Sequence, residues 1–419
     1  MGAPRHQAPA LTRLCPRDEA DVVEAVRWAV ANGQTLDVVG AGSKAGLGRH
    51  IQTDAALELK ALTGVTLYEP EELVLSARAG TPVAEIEALV AGSHQMMAFE
   101  PMDYGPLFGR PAGAGTLGGL MACNLAGPRR PSAGAARDHA LGLRAVSGRG
   151  EAFKAGGRVV KNVTGYDLPR GLSGSYGTLA AFTEFTIKVL PRPETEETLV
   201  LLGLDDKAAA GAMSAAVGSY YDVSGAAHLP ADIAPRVSAV ADAGRSVTAL
   251  RLEGVKPSIL HRRGKLETLL AGRGDLAVLD AGASVAFWRA VRDVEPFALA
   301  RDETVEAGPA VWRVSVAPMA GAGVLAALRP LGARGFYDWA GGLVWIAGPD
   351  NLPCSDAVRS AVARAGGGHA TLIRAGADVR AREEVFQPLD PVTKALVTRM
   401  KGAFDPAGVL SPGRMYAGV

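Results

Sequence analysis

Two glycine-rich segments constrain the fold of this chain more than any other feature of its sequence. The first runs from Gly40 to Gly48 and follows a β-branched stretch, Thr35 to Val39, that predicts a strand. The second runs from Gly105 to Gly134; it is too broken for one regular element and too apolar for a flexible linker, so we predict an ordered binding loop. Because glycine has no Cβ and accepts positive φ, such loops can place several backbone N–H groups around one anion. Two loops of this kind suit a diphosphate.

Neither common nucleotide-binding motif matches the first segment. Its glycines Gly40, Gly42 and Gly46 miss the G-x-G-x-x-G spacing of the Rossmann fold by one residue. Ser43 and Lys44 stand in the reverse of the order that a P-loop requires. For any one of these glycine clusters, a simple tight turn remains the alternative interpretation.

Charge and hydropathy exclude two classes of partner. The chain has 419 residues, with 44 Lys and Arg against 43 Asp and Glu, so it lacks the positive excess that binds nucleic acid. We therefore expect no DNA or RNA partner. The first residues lack the apolar stretch of a signal peptide, and no run is long enough to span a bilayer. These patterns predict a chain without a transmembrane segment and a cytoplasmic location.

Cysteine and histidine spacing argues against a metal centre. Cys15, Cys123 and Cys354 form no C-x-x-C pair, so this chain cannot hold an iron–sulfur cluster by itself. The 7 histidines are too far apart in sequence to form a metal-binding pair on one helix. The sequence therefore predicts no metal site.

Helix and strand patterns continue through the whole chain. Apolar spacing predicts a helix from Asp18 to Asn32, and alternation predicts a half-buried strand from Phe182 to Leu190. The first domain is expected to end near Pro193, where the glycine loops give way to alanine-rich helical stretches and short strands. A further helix is predicted from Pro391 to Phe404, close to the C-terminus.

Four motifs in a fixed order resemble the PCMH-type FAD-binding domain of the vanillyl-alcohol-oxidase family. They are Val39–Lys44, Gly113–Gly119, Lys161–Leu168 and Gly174–Leu179. Later segments resemble the second flavin-binding subunits of bacterial glycolate oxidases: Val311–Ser315, Tyr337–Gly342, Gly367–Thr371 and the ending FDPAGVLSPGRMY. The resemblance implies an α+β fold in three parts. These are a two-subdomain FAD-binding domain at 1–193, an α+β cap domain at 194–385, and a segment at 386–419 that returns to the FAD domain.

Carried over motif by motif, the resemblance implies a noncovalently bound FAD. The implied cofactor-binding residues are Gly40, Ala41, Gly42, Ser43, Lys44, Gly46, Leu47, Gly48, Pro101, Gly115, Thr116, Leu117, Gly118, Gly119, Asn124, Gly127, Gly177, Thr178 and Leu179. Many relatives attach FAD through a histidine in the first loop, whereas here the nearest histidine, His50, lies beyond that loop. A bond through Cys123 is the alternative, although packing is the commoner role of a buried cysteine.

Oxidation of a 2-hydroxy acid needs a base for the hydroxyl proton and a cation for the carboxylate. The chain lacks the H-x-G-D-G-N-x-H motif and the Glu-His-Gly segment of the family's catalytic flavin subunit. The candidates left are His369 as the base and Arg313 as the carboxylate clamp. The alternatives are a histidine satisfied by backbone in a turn and an arginine paired with a carboxylate such as Asp338.

Two functions remain open from the sequence. In the first, the chain is an FAD-dependent oxidoreductase subunit acting on glycolate or another small 2-hydroxy acid. In the second, it is an assembly subunit in which FAD is a structural ligand. The resemblance implies a catalytic flavin subunit and an iron–sulfur subunit as partners, and through them a peripheral position at the inner face of the membrane.

Overall fold

The computed structural model of this chain describes residues 11–158, 165–300 and 303–419. Part of one motif named above, residues 161–164, lies outside these ranges. In chain order, the elements before residue 194 are β1 (Thr12–Leu14), α1 (Glu19–Asn32), β2 (Leu36–Val39), β3 (Ala55–Glu58), β4 (Val65–Glu69), β5 (Val74–Arg78), α2 (Val83–Ala91), β6 (Gln95–Met96), α3 (Leu117–Cys123), α4 (Arg130–Ala133), β7 (Ala140–Ser147), β8 (Ala152–Gly156), α5 (Leu168–Leu172), β9 (Ala180–Lys188) and β10 (Leu190–Pro191). The elements that follow are β11 (Thr195–Leu202), α6 (Asp206–Val217), β12 (Gly225–Leu229), β13 (Val247–Gly254), α7 (Lys256–Leu269), β14 (Asp275–Leu279), α8 (Ala281–Arg292), β15 (Val311–Ser315), α9 (Gly321–Leu328), β16 (Arg334–Asp338), β17 (Leu343–Ala347), α10 (Ser355–Arg364), β18 (His369–Arg374), α11 (Ala377–Arg382) and α12 (Pro391–Phe404).

Helix α1 has the start and stop signals that its sequence predicts. Asp18 caps the N-terminus by accepting a hydrogen bond from the backbone N–H of Asp21 at 2.9 Å. Gly33 ends the helix in left-handed backbone with φ of 63°. The apolar stripe that includes Val22 and Val26 is fully buried against the parallel three-stranded sheet β1-β3-β2. The predicted helix is confirmed, because its observed start lies one residue from the predicted one.

Strand β9 lies at the centre of a five-stranded antiparallel sheet with the order β4-β5-β9-β7-β8. Its alternating sequence predicts one buried and one exposed face, and that prediction is wrong because nearly the whole strand is buried. The polar side chains find partners inside the fold. Thr186 Oγ1 lies 2.8 Å from Ser76 Oγ, and Thr183 Oγ1 donates to the Glu19 carboxylate at 2.6 Å. The strand is therefore covered on both faces.

The residues after 194 build an eight-stranded antiparallel sheet with the order β14-β11-β13-β12-β16-β17-β15-β18. Helices α6, α7, α9 and α10 cover one face and pack with Trp312 in one apolar cluster. The other face contributes Val311, Phe336 and Trp345 to a second cluster, which also contains Leu107 and Phe108 from the second glycine-rich segment. This inner face of the sheet therefore lies against the second glycine-rich segment.

The C-terminal segment returns to the first sheet. The backbone N–H of Leu36 donates to the carbonyl of Val409 at 2.7 Å, and Ser411 N–H donates to the carbonyl of Leu36 at 2.8 Å. Lys401 on α12 donates to the carbonyl of Thr178 at 2.7 Å. The predicted helix from Pro391 to Phe404 is confirmed. The tail after it hydrogen-bonds to β2 of the first sheet.

The architecture confirms the predicted α+β class. The predicted domain boundaries at residues 193 and 385 stay predictions. In the described part of the chain, no helix combines the length and the apolar character needed to cross a bilayer. Within the same residues, no group of three or more His, Cys, Asp or Glu side chains is placed to hold a metal ion.

Candidate functional site

A cleft lies between the first glycine-rich segment and α3. It encloses about 710 Å³, including its opening to solvent. The predicted cofactor residues that line it are Gly40, Ala41, Gly42, Ser43, Lys44, Leu47, Thr116, Gly118, Gly119 and Gly177. The fold therefore brings residues from three separate motifs to one cleft.

The other predicted cofactor residues are not among those that line the cleft. Gly46, Gly48, Gly115 and Leu117 belong to the same two glycine-rich segments. Asn124 and Gly127 also belong to the second segment, Thr178 and Leu179 follow Gly177 in the fourth motif, and Pro101 precedes the second segment. Asn124 ends α3 in left-handed backbone with φ of 48°, and its side-chain oxygen accepts the N–H of Arg137 at 3.0 Å. A role for these residues toward a cofactor stays a prediction.

Two glycines at the cleft are required by close packing against neighbouring residues. A Cβ at Gly40 would lie 2.5 Å from Oγ1 of Thr116, and a Cβ at Gly118 would lie 2.7 Å from Cβ of Ala79. Thr116 also caps α3 by accepting the N–H of Gly119 at 3.3 Å. A larger residue at Gly40 would push the two segments apart, and a larger residue at Gly118 would push α3 away from Ala79.

Lys44 places a positive charge at the cleft. Its ammonium group donates to Ser43 Oγ at 3.2 Å, and among the described residues it forms no ion pair with a carboxylate. Burial lowers the pKa of Lys44, while the more distant Cys123 and Asp103 oppose that shift. A cation that is largely removed from water and has no carboxylate beside it is a suitable partner for a bound anion.

Arg313 lies on β15 and points from the inner face of the sheet. Its guanidinium carbon is 4.9 Å from the ring centroid of Trp339, and no described carboxylate forms an ion pair with it. The alternative ion pair with Asp338 is not formed; Asp338 accepts the backbone N–H of Trp339 at 2.7 Å, and the charge of Arg313 acts on it from farther away. Arg313 is therefore a half-buried cation that stacks on an indole.

Asp338 is fully buried beside this indole. Burial raises the pKa of Asp338 to about 7, against the hydrogen bond from Trp339 N–H, which favours the charged form. The nearby negative charge of Glu100 raises it further, while Arg251 and Arg313 lower it. At neutral pH this carboxyl group is therefore balanced between its neutral and charged forms.

His369 is the first residue of β18, an edge strand of the eight-stranded sheet. It pairs with Ser315, while Thr371 pairs with Arg313, so His369 and Arg313 share one face of the sheet. The imidazole is exposed and is not among the residues that line the cleft. Its proposed role as a base stays a prediction.

Comparison with known proteins places the whole chain in one family. A family model described as an FAD binding domain matches residues 10–156. Over 413 residues the chain is 33% identical to glycolate oxidase subunit GlcE of Escherichia coli (strain K12), which covers 97% of this chain and 99% of that protein. The chain belongs to the GlcE family of glycolate oxidase subunits. This confirms the family expected from the motifs.

Two further comparisons support the flavoprotein fold of this GlcE family member. It is 41% identical over 99 residues to glycolate oxidase subunit GlcD of Bacillus subtilis (strain 168), over 24% of this chain and 21% of that protein. The crystal structure of p-cresol methylhydroxylase with substrate bound superposes with a TM-score of 0.74 at 13% identity, over 97% of this chain and 88% of that chain. The predicted PCMH-type fold is confirmed. This GlcE family member is an oxidoreductase flavoprotein, and its cofactor is FAD.

The chemistry of the residues that line the cleft matches the parts of FAD. Lys44 supplies a cation for the diphosphate, and Gly42, with φ of 75°, gives the lining a left-handed turn that glycine adopts readily. Tyr176 and Phe182 add apolar surface for a flat ring system. The residues present therefore fit this cofactor.

Arg414 and Arg130, like Tyr176 and Phe182, were not among the predicted site residues. Arg414 lines the cleft from the C-terminal segment and pairs with Asp37 at 2.5 Å. Arg414 lies in the C-terminal motif FDPAGVLSPGRMY, so the family resemblance could have identified it from the sequence. Arg130 stacks on Trp339 at 4.4 Å, and nothing in the local sequence marks it apart from its neighbour Arg129.

Proposed function

We propose that this GlcE family member is an FAD-binding subunit of a glycolate oxidase complex that takes part in oxidising glycolate, or a related small 2-hydroxy acid, to the 2-oxo acid. The observation that carries the proposal is the cleft. Motif residues from three segments line it, and Lys44 faces it without a described carboxylate partner. The similarity to GlcE over nearly the full length supports the choice of reaction.

In this proposal two cationic groups bind two different anions, the cofactor diphosphate and the substrate carboxylate. Lys44 and the glycine backbone would hold the diphosphate of the cofactor. Arg313 would hold the substrate carboxylate, because it is half-buried and lacks a described carboxylate partner. When bound, FAD supplies the acceptor for the hydride that leaves C2 of the acid. His369 would accept the hydroxyl proton at a ring nitrogen, since it shares a sheet face with Arg313.

The role of His369 is tested by His369→Ala in the assembled complex. We expect a loss of roughly 100-fold or more in the rate of glycolate oxidation, the usual scale of general base catalysis. His261→Ala on α7 is the matched control, because that histidine is also exposed in the second half of the chain. Equal turnover in the two variants would remove His369 from the mechanism.

We propose that FAD is held without a covalent bond. The first segment contains no histidine, and burial raises the pKa of Cys123 to about 11, so its thiol is protonated at neutral pH and is a weak nucleophile. Precipitation of the protein with acid should release yellow flavin into the supernatant. Flavin that stays with the precipitate would contradict this proposal.

The deciding experiment for the function follows flavin absorbance after anaerobic addition of glycolate to the complete complex. If the FAD of this subunit takes part, all bound flavin should be bleached at a rate that matches turnover. Participation of this FAD in the reaction would be refuted if an amount of flavin equal to this subunit's FAD content stayed oxidised after many turnovers.

An assembly role with structural FAD is the second candidate. It is favoured by the exposed position of His369 and by the absence of the H-x-G-D-G-N-x-H motif. In that case removal of FAD should lower the melting temperature and the yield of complex, because a ligand that binds only the folded state stabilises it by mass action. The oxidation state of this flavin would not change during turnover.

The partners in this proposal are a catalytic flavin subunit and an iron–sulfur subunit. The name of the similar GlcD protein supports the first, and the lack of cluster-forming cysteines in this sequence supports the need for the second. Purification of the native complex, with its iron, sulfide and flavin content measured, tests both. The cytoplasmic location and the peripheral membrane position stay predictions.

A further inference from the structure

We propose that Arg130 and Arg313, arranged around the indole of Trp339, form one binding site for the carboxylate of a small organic acid. The proposal rests on the proposed function for the identity of the acid. It adds Arg130 and Trp339 to the residues that hold that acid, and it places the site between the two main parts of the chain.

Both guanidinium groups contact the same ring. The guanidinium carbon of Arg130 is 4.4 Å from the ring centroid of Trp339, and that of Arg313 is 4.9 Å from it. Arg130 begins α4 in the second glycine-rich segment, whereas Arg313 lies on the inner face of the eight-stranded sheet. Two cations from distant parts of the sequence therefore meet at one indole.

Within the described residues, Asp138 acts on Arg130 and Asp338 acts on Arg313 only through longer-range charge interactions. Neither Arg130 nor Arg313 forms an ion pair there, and both are half-buried. Burial lowers the pKa of Arg130, and the positive charge of Arg313 lowers it further. Repulsion between two partly desolvated cations is relieved when an anion binds to both of them.

The neighbouring Arg129, unlike Arg130, is paired with carboxylates and has a structural role. Its side chain donates to the carboxylate of Glu253 at 2.9 Å, and its backbone N–H donates to Glu100 at 2.6 Å. Glu100 in turn accepts from Arg251 at 2.7 Å. This buried network fixes the backbone next to Arg130 but leaves the Arg130 side chain without a carboxylate.

Two hydrogen bonds, one from the indole and one from the backbone, fix the position of Trp339, and its backbone has positive φ. Its indole N–H donates to the carbonyl of Gly127 at 3.0 Å, and its backbone N–H donates to Asp338 at 2.7 Å. Trp339, Ala340 and Gly341 all have positive φ, at 50°, 57° and 92°. Such strain in a bulky residue persists only where the surroundings enforce it, and it is concentrated at binding and catalytic sites.

The chemistry of the pair selects a carboxylate. A guanidinium group binds a carboxylate through two parallel N–H···O bonds, and the indole orients each guanidinium plane by stacking. A small acid is favoured because the two guanidinium groups lie around a single ring. Since one arginine comes from each main part of the chain, the bound acid would also connect them.

The test measures oxalate binding to the full-length, FAD-loaded chain by titration calorimetry. Oxalate is the probe because it has no C–H bond and cannot donate a hydride. We expect Arg130→Met and Arg313→Met each to weaken oxalate binding roughly 10- to 100-fold, the usual effect of losing a charge-assisted hydrogen bond. The double variant should lose less than the product of the two single effects, because both residues hold one anion.

Arg137→Met is the matched control. Arg137 lies close enough for its charge to lower the pKa of Arg130, but it is exposed and lies beside Asp138 at 4.0 Å. Oxalate affinity should stay within about threefold of the unmodified protein in this variant, as expected for a screened surface charge. Equal oxalate affinity in Arg130→Met and Arg137→Met would overturn the proposal.

A second variant covers the case in which Arg130→Met does not fold. Arg130→Lys keeps the charge but loses the planar fork, and we expect it to bind oxalate with an intermediate affinity. Two results together would refute the proposed function and keep this site: oxalate binding depends on both arginines, and glycolate never bleaches the flavin. Full bleaching by glycolate with oxalate affinity unchanged in Arg130→Lys and Arg130→Met would refute the site and keep the function.

Discussion

Lys44 and Cys123 show how burial controls charge at single residues of the cleft. Burial lowers the pKa of Lys44 and raises the pKa of Cys123 to about 11, although the two groups partly oppose these shifts in each other. Each group is therefore biased toward its neutral form. A diphosphate beside Lys44 would reverse this bias for the lysine by supplying the missing negative charge.

At this residue, we predict that Lys44→Met weakens FAD binding roughly 10- to 100-fold, because one charge-assisted contact to the diphosphate is lost. The affinity of the variant should also depend less on salt concentration. Fluorescence titration of the FAD-free protein at two ionic strengths measures both effects. Lys60→Met is the control, since Lys60 is exposed and pairs with Glu58 at 3.0 Å. FAD affinity equal to that of the control would contradict the assignment of Lys44.

Asp338 leads to a prediction about pH. In the folded protein its pKa is raised to about 7 from 3.8, so between these values the folded state holds a proton that the unfolded state releases. The folded state binds more protons in this window, and stability therefore falls as the pH rises through it. Asp338→Asn removes this dependence while keeping an oxygen that can accept the Trp339 N–H.

Urea unfolding at about pH 5 and about pH 8 measures this effect. Between those conditions the unmodified protein should lose roughly 3 kcal/mol more of its unfolding free energy than Asp338→Asn does. Asp232→Asn, at an exposed position, should behave as the unmodified protein does. The same loss in Asp338→Asn as in the unmodified protein would show that Asp338 titrates near its usual value.

Among the elements, the first glycine-rich segment and α3 depend on each other for their spacing. A Cβ at Gly40 would lie 2.5 Å from Thr116 Oγ1, and the same hydroxyl group caps α3. The turn and the helix can approach only because one residue lacks a side chain and the other has a short one. The width of the cleft is therefore set by this contact.

We predict that Gly40→Ala destabilises the fold by about 1–3 kcal/mol through overpacking and lowers FAD affinity with it. Adding Thr116→Ala should restore part of the loss, because the hydroxyl group that the new Cβ meets is removed. Urea unfolding and FAD titration of the single and double variants measure this. Gly402→Ala on α12 is the control, since a Cβ there meets nothing within 4 Å. Failure of the second substitution to restore either property would show that this contact does not set the spacing.

At the scale of the whole molecule, a buried ion network joins the N-terminal part of the chain to the eight-stranded sheet. Glu100 pairs with Arg251 at 2.7 Å, and Arg129 pairs with both Glu100 and Glu253. The pKa of Glu253 is lowered to about 2, chiefly by the bond from Arg129 against the effect of burial. Such a network is stable only while every charge has a partner.

We predict that Glu100→Gln lowers the free energy of unfolding by about 3–5 kcal/mol, because Arg251 is left buried with too little negative charge. Glu87→Gln is the control: this carboxylate is partly exposed and lies 3.7 Å from Arg292, so its loss should change stability by about 1 kcal/mol or less. Urea unfolding followed by tryptophan fluorescence measures both. A Glu100 variant as stable as the Glu87 variant would show that the network does not hold the two parts together.

The sequence by itself determined the features that depend on neighbouring residues. Helix α1 follows from its apolar spacing and from Gly33, and the first glycine-rich turn follows from the positive φ that glycine allows at Gly42 and Gly48. Motif order was enough to indicate the family and the cofactor. The predicted half-exposed face of β9 failed because burial depends on what packs against a strand, which its own alternation does not contain.

Only the tertiary structure decided which distant residues meet. Arg130 and Arg313 lie far apart in the chain, and they share one indole because the inner face of the large sheet packs on the second glycine-rich segment. The same packing gave Arg129 two carboxylate partners and left Arg130 with none among the described residues. Contacts of this kind depend on how whole elements pack, and no spacing within either segment encodes them.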